Sequence, residues 1–420
     1  MTQDTDDAAQ HDRPPGAGCP AGGGAVRLTE LAGGEAMSEV YERLRARHGA
    51  VAPVLLDGDV PAWLVLGYAE LCHVTWRSDL FARDPARWNQ WHRIPPDWPL
   101  LPFVAYQADS SRRSAVVGEV LEQVDGFELE RICREVAGDL IARFAHHGRA
   151  ELMSAYAHAL PLLALVRMCG MRPDDDGAAE LLDDLRIGLD IEAEGNSAEA
   201  FLRIDRRIRA VVARKRSRPA PDIVSRLLGH AVRLSDDEVV AGVVTVIGFA
   251  QEPTAHWIGN TVHLLLTDDR FAVKVLGGRL SVDEALNEVL WLNSPSQNLL
   301  GRWAIRDTVL AGRTVRAGDC LVLGIAAANS DPRVLAEAPA AESNRAHLAF
   351  GNGTNRCPYP ATLLADIIAR TAVEALLERL PDIALATDPD ALRWRPSAWV
   401  RGLTALPVEF TPDGPSARRA

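Results

Sequence analysis

The chain has 420 residues, a formal charge of −12, and side chains that are 47% hydrophobic and 24% charged, the composition of an ordinary globular protein. The acidic balance argues against nucleic acid as a general partner. No apolar run approaches the roughly eighteen residues of a membrane span, and residues 1–25 lack an apolar signal core, so a cytoplasmic protein is expected.

In chain order, a Gly/Pro-rich start (1–25) reads as disordered, and one domain is expected from 26 to 411, followed by a flexible tail over 412–420. "VAPVLLDGDVPAWLV" at 51–65 holds two apolar runs split by Asp-Gly-Asp, a hairpin signal, and a helical period comes after it. From 112 to 290 the periodicity is mainly helical. Within this stretch, the basic run "RRIRAVVARKRSR" at 206–218 reads as a solvated helix face rather than a polyanion site. Ser235 and Glu238 have capping-box spacing and open about thirty residues of low charge, which predicts a long buried central helix. Ser281 and Glu284 open another helix in the same way. Strand-like pieces come next at 302–312 and 320–327, and the last long helix covers 362–380. The class is mainly α with small β-sheets.

Six cysteines are scattered with no C-x-x-C pair, which argues against a disulfide framework or a zinc site. Cys357 differs from the rest because it lies in "LAFGNGTNRCPYPA" (348–361), too kinked for helix or strand. Gly351 and Gly353 allow a close backbone approach to a flat partner, and Phe350 offers a planar apolar face. A cysteine just before a helix meets unpaired N–H groups, which predicts a thiol below its usual value of about 8.5. A sheltered thiolate of this kind suits the axial ligand of a haem iron, against the bland reading of a buried free cysteine.

The loop "FGNGTNRC" resembles the cysteine-ligand loop of the cytochrome P-450 superfamily, usually F-G-x-G-x-H-x-C-x-G. "LGIAAANSDPRV" (323–334) is similar to the stretch that usually carries A-N-R-D-P, and "AHLAFG" to H-L-A-F-G. The resemblance implies a cytochrome P-450 fold enclosing haem b, with Cys357 on the iron and Phe350, Gly351, Gly353 and Asn355 around it. It also implies dioxygen as oxidant, with electrons from NAD(P)H through an external ferredoxin or flavodoxin and its reductase.

Four departures qualify what the resemblance implies. Asn355 replaces a frequent histidine, and Tyr359, between Pro358 and Pro360, replaces a glycine. The family's E-x-x-R becomes Glu288-Val-Leu-Trp291, which leaves Glu288 to pair with Arg345 while Trp291 fills the vacated volume. "DSSRRS" replaces E-H-x-R-L-R, so the haem propionates are expected to meet Arg302 with Arg112 or Arg113. In "GFAQEPTAHW" Glu252 fits the family's acid, but Pro253 replaces its threonine. Proline leaves the Phe249 carbonyl without its helical partner and predicts a kink. Thr254 is the next hydroxyl, about 100° further round the helix.

Catalytic roles are therefore expected for Glu252 and Thr254, although a structural role for Glu252 stands equally open. Trp88, Trp91, Ala250 and Gln251 are expected to line a substrate pocket, helped by Trp98, Phe103 and Tyr106. The resemblance implies an oxidase or monooxygenase of a small organic molecule in specialised metabolism, and the aromatic wall suggests oxidative coupling of an aromatic or cyclic-dipeptide substrate. A peroxide-dependent haem enzyme and a catalytically degenerate haem-binding accessory protein are the alternatives.

Overall fold

The computed structural model describes residues 25–32, 37–94, 111–171, 177–189, 196–268, 281–335, 344–353 and 356–413. Most of segments 1–25 and 412–420 lies outside them.

The N-terminal part pairs helix α1 (Met37–His48) with strands β1 (Val26–Arg27), β2 (Val51–Leu56) and β3 (Val60–Val65), then α2 (Tyr68–Trp76) and β4 (Phe81–Ala82). The expected hairpin is present, since Leu56 pairs with Val60 and the turn places Gly58 and Asp59 at positive φ. The helical body comes next: α3 (Ser111–Glu122), α4 (Gly126–Phe144), α5 (Ala159–Met168), α6 (Ala178–Leu189), α7 (Ser197–Ser217), α8 (Ile223–Gly229) and α9 (Asp236–Thr267), with β5 (Arg149–Glu151) between α4 and α5. Then come α10 (Val282–Leu292), β6 (Leu299–Ala304), β7 (Thr308–Leu310), β8 (Arg313–Val315), β9 (Cys320–Leu323) and α11 (Ile325–Asn329). The chain closes with α12 (Pro332–Leu335), α13 (Tyr359–Arg379), β10 (Ala384–Leu385) and β11 (Pro407–Glu409).

The main sheet has the order β1-β2-β3-β9-β6-β4. β9 runs parallel to β3 and antiparallel to β6, so the chain returns to the N-terminal hairpin only after the helical body. This pairing builds one apolar core on the sheet, while the largest core lies among α3, α4, α5, α9 and α13.

Both capping boxes form as read: Ser235 with Glu238 opens α9, and Ser281 with Glu284 opens α10. Helix α9 runs without a break through Pro253, so the missing N–H is absorbed inside a continuous helix. Its length places residues 252–263 in the middle of the molecule, against α5, α10, α13 and the segment 393–404. No helix among the described residues is long and apolar enough to cross a membrane.

Candidate active site

The loop before α13 is built largely from backbone hydrogen bonds. Gly351 N–H donates to the Leu348 carbonyl and Cys357 N–H to the Phe350 carbonyl, both at 2.8 Å. Gly351 and Gly353 sit at φ +75° and +74°. At Gly353 a side chain is excluded twice over, because a Cβ would also lie 2.3 Å from the Thr75 carbonyl oxygen. The close approach expected of these glycines is thus, at Gly353, an approach to the end of α2. Asn352 completes that seam: its amide donates to Cys72 Sγ at 2.9 Å and its oxygen accepts from Gly353 N–H at 2.7 Å.

A second set of contacts fixes the entry to the loop. Leu348 N–H donates to Asn329 Oδ1 at 2.8 Å, and Asn329 Nδ2 donates to the Leu290 carbonyl at 3.0 Å, which ties the loop to α10 and α11. Phe350 lies between Trp257 of α9 and His347, with ring centroids at 5.8 and 6.0 Å, and His347 meets Trp291 edge-on at 6.1 Å. Trp291 Nε1 and Asn287 Nδ2 both donate to the Asn344 carbonyl, at 2.7 and 3.0 Å. Trp291 therefore does more than fill volume. No Glu288–Arg345 ion pair is seen among the described residues, and Arg345 is exposed. Aromatic contacts and a shared carbonyl hold the loop at this point.

Cys357 is half-buried. Burial raises its thiol above the usual value and Thr362 pulls it partly back, so the position ahead of α13 does not lower the thiol as the sequence suggested. A half-buried sulfur whose ionisation the protein alone does not favour is suited to a metal cation, which brings the missing positive charge. Asn355 lies outside the described residues, and Tyr359 is 69% exposed at the start of α13.

Arg302 on β6 is 3% exposed, and its hydrogen bond goes to the Gly301 carbonyl at 2.8 Å. Burial, then Arg83, pushes it down to about 10; Arg83 is lowered in turn by burial and by Arg113. Three guanidinium groups near one another in a partly dry place suit the carboxylates of a porphyrin. Arg83 was not legible as a site residue. The antiparallel pairing of Phe81 with Ala304 and Ala82 with Trp303 brings it beside Arg302. Arg112, by contrast, lies at the surface, where it pairs with Glu238 at 2.9 Å and donates to the carbonyls of Val232 and Arg233. It anchors α3 to the start of α9.

Of the residues expected at the pocket wall, Trp88 and Trp91 lie with their ring centroids 6.4 Å apart. Trp88 is 3% exposed and packs on Trp303 at 5.9 Å in the sheet core, and Trp91 is 41% exposed. Trp98, Phe103 and Tyr106 lie outside the described residues. Gln251 is fully buried and donates to the His158 carbonyl at 3.0 Å, facing the segment ahead of α5, while Ala250 is half-buried.

Glu252 and Thr254 are both buried. Glu252 is the hub of a cluster that sequence reasoning did not find. Its Oε1 accepts from Arg395 at 2.8 Å and lies 3.0 Å from His256 Nε2, and its Oε2 lies 3.4 Å from His158 Nδ1. Burial opposes the ionisation of this carboxyl, and His256 and His158 hold it well below the usual carboxylate range. Burial lowers His256, so the imidazole is neutral and the permanent positive charge is that of Arg395. His158, Glu252 and His256 each place a donor atom within 4.8 Å of the others, a set that a divalent cation accepts. Arg395 already fills that role.

The cluster begins a polar stripe on α9: Glu252, His256, Asn260 and His263 at i, i+4, i+8 and i+11. The segment 393–404 runs along it. Gly402 lies so close that a Cβ would fall 1.8 Å from His256 Nδ1; Asn260 donates to the Arg401 carbonyl at 2.9 Å; Trp394 meets His263 edge-on at 5.3 Å. That spacing was the signal available in the sequence.

No family model matches the chain. It is similar to the steroid C26-monooxygenase of Mycobacterium tuberculosis, 30% identical over 347 residues, covering 79% of this chain and 86% of that one. It is also similar to the polyketide biosynthesis cytochrome P450 PksS of Bacillus subtilis, 27% identical over 287 residues, covering 66% of this chain and 69% of the other. Among solved structures, testosterone-bound CYP154C4 from a Streptomyces species superposes with a TM-score of 0.80 at 24% identity, covering 92% of this chain and 98% of that one. The chain belongs to the cytochrome P450 family. It is a P450-type oxidoreductase, whose cofactor is haem b and whose oxidant is dioxygen, with electrons from NAD(P)H through redox partners.

Proposed function

We propose that this enzyme oxidises a lipophilic small molecule of specialised metabolism in the cytoplasm, with Cys357 on the haem iron and a separate ferredoxin or flavodoxin, with its reductase, as electron donor. The observation that carries the reading is the Cys357 loop, held by the Gly353–Thr75 approach, the Phe350 carbonyl and the aromatic contacts to Trp291. Arg302, Arg83 and Arg113 are assigned to the propionates. Haem, when bound, supplies the activation of dioxygen and the oxidising power.

The chain's own residues set the route of the proton. Pro253 carries no hydroxyl, so any side-chain proton delivery in this turn falls to Thr254, which is buried one residue on. Glu252 is engaged with Arg395 and the two histidines and holds no proton at neutral pH. This arrangement favours a substrate radical that couples or rearranges over simple hydroxylation. The same proline favours a second reading, peroxide as oxidant with no redox partner. The tryptophan pair no longer supports a cyclic dipeptide, whereas the names of the relatives support steroid-like and polyketide molecules as the first compounds to examine.

The test is turnover of a panel containing testosterone, a macrolactone and a tryptophan cyclic dipeptide, with ferredoxin, reductase and NADPH or with hydrogen peroxide. Products formed only with the electron-transfer partners support the leading reading. Products formed only with peroxide establish the second.

A further inference from the structure

We propose that Arg395 is a positioning residue for Glu252: carried on the segment 393–404, it keeps the acid of the central helix as a carboxylate turned away from proton donation. The inference rests on the functional reading above, because it concerns the helix that faces the oxygen chemistry in that reading.

The geometry is specific. The Arg395 guanidinium lies 2.8 Å from Glu252 Oε1 and 3.4 Å from His256 Nε2, and the Arg395 side chain is 13% exposed against 8% for that of Glu252. Arginine stays charged at every working pH, so its pairing persists where a histidine would release its proton. The titratable groups facing the carboxylate are His158 from the segment ahead of α5, His256 from α9 itself and Arg395 from the C-terminal segment. Burial opposes the charging of His256, and the guanidinium is the standing counter-charge.

The segment is placed to deliver it. Arg395 N–H donates to the Gly402 carbonyl at 2.9 Å and Thr404 N–H to the Arg393 carbonyl at 2.9 Å, so the strap folds back on itself across the stripe. Arg401 lies 3.7 Å above the Trp394 ring, and Asn260 holds the Arg401 carbonyl from the helix side. Arg395 is thus fixed at both ends of its own turn. A carboxylate so held accepts hydrogen bonds and donates none, and it becomes a donor only when the strap releases it.

Arg395 also sets the sign of the pH dependence. With Arg395 present, the Glu252 carboxyl lies below its unfolded value, and the pair stabilises the fold at all pH values above the usual carboxylate range. Without Arg395, the buried carboxylate keeps only the His158 and His256 imidazoles against the cost of burial. The cost of the buried charge then grows as pH rises from about 5 and eases as pH falls.

The experiment is thermal unfolding of the haem-loaded full chain between pH 5.5 and 8.5 for the native protein, Arg395→Gln, Arg395→Lys, and Arg395→Gln combined with Glu252→Gln. Arg395→Gln is expected to show a Tm deficit that is largest at pH 8.5 and shrinks toward pH 5.5. Arg395→Lys should remove most of the deficit, and the double variant should show no pH trend. A deficit of equal size at every pH would mean that Arg395 only anchors the strap, and would overturn the proposal. If Arg395→Gln yields no folded protein, Arg395→Lys against the native protein carries the same test, with a smaller deficit of the same pH trend. The carbon monoxide difference spectrum, taken on the same samples, reports the haem-thiolate reading separately.

Discussion

The loop around Cys357 and the middle of α9 solve opposite problems. The loop is fixed mainly by backbone hydrogen bonds, positive-φ glycines and ring contacts, so few of its supports depend on protonation. The helix middle is fixed by a buried charge cluster in which a carboxylate, two imidazoles and a guanidinium come from three separate stretches of chain. The first arrangement tolerates changed residues as long as shape is kept. The second depends on which groups carry charge.

The difference is sharpest at Gly353. A Gly353→Ala chain must place a Cβ against the Thr75 carbonyl in a left-handed conformation, and a loss of roughly 3 kcal/mol is expected in urea unfolding, together with poor haem incorporation. An effect of at most similar size comes from His347, the one titrating side chain in the aromatic row. Burial and Arg345 bring it down to about 4. It is neutral in the fold, so its contribution is complete above its unfolded value of about 6.5 and is lost as pH falls from there toward 4, a change of up to about 3 kcal/mol. His347→Phe should flatten this part of the stability profile.

Trp291→Phe keeps a ring against His347 but removes the N–H donated to the Asn344 carbonyl. Asn287 still serves that oxygen, so a loss of about 1 kcal/mol is expected in the same unfolding assay, with an unchanged haem spectrum. Arg112→Ala should cost less still, under about 1 kcal/mol, and leave the spectrum and haem affinity unaltered, because its partner is the half-exposed Glu238. A large loss of haem affinity in Arg112→Ala would return this residue to the propionates.

What could be read from the sequence was local. The capping boxes at Ser235 and Ser281 and the Asp-Gly-Asp hairpin are written in neighbouring residues and take the form expected, while the glycines before Cys357 take positive φ and Gly353 packs on the end of α2. Arg83 and Arg395 could not be read in this way. One depends on the pairing of β4 with β6, and the other reaches Glu252 from 143 residues away. Trp88 was ambiguous for a related reason: an aromatic-rich stretch looks alike whether it walls a pocket or packs in a core, and here Trp88 packs against Trp303. The polar stripe on α9 was visible in principle. Four polar residues at helical spacing in an apolar helix require partners, and only the fold shows that a C-terminal strap provides them.

The measurement that bears most directly on the central claim is the carbon monoxide difference spectrum of the reduced protein, native and Cys357→Ala. A strongly red-shifted Soret band in the native protein that disappears in Cys357→Ala is the predicted result, and it would mean that Trp291 and its neighbours hold the thiolate in place without the family's arginine. A band typical of a neutral ligand in the native protein, or the same band in both, would contradict the account of the Cys357 loop.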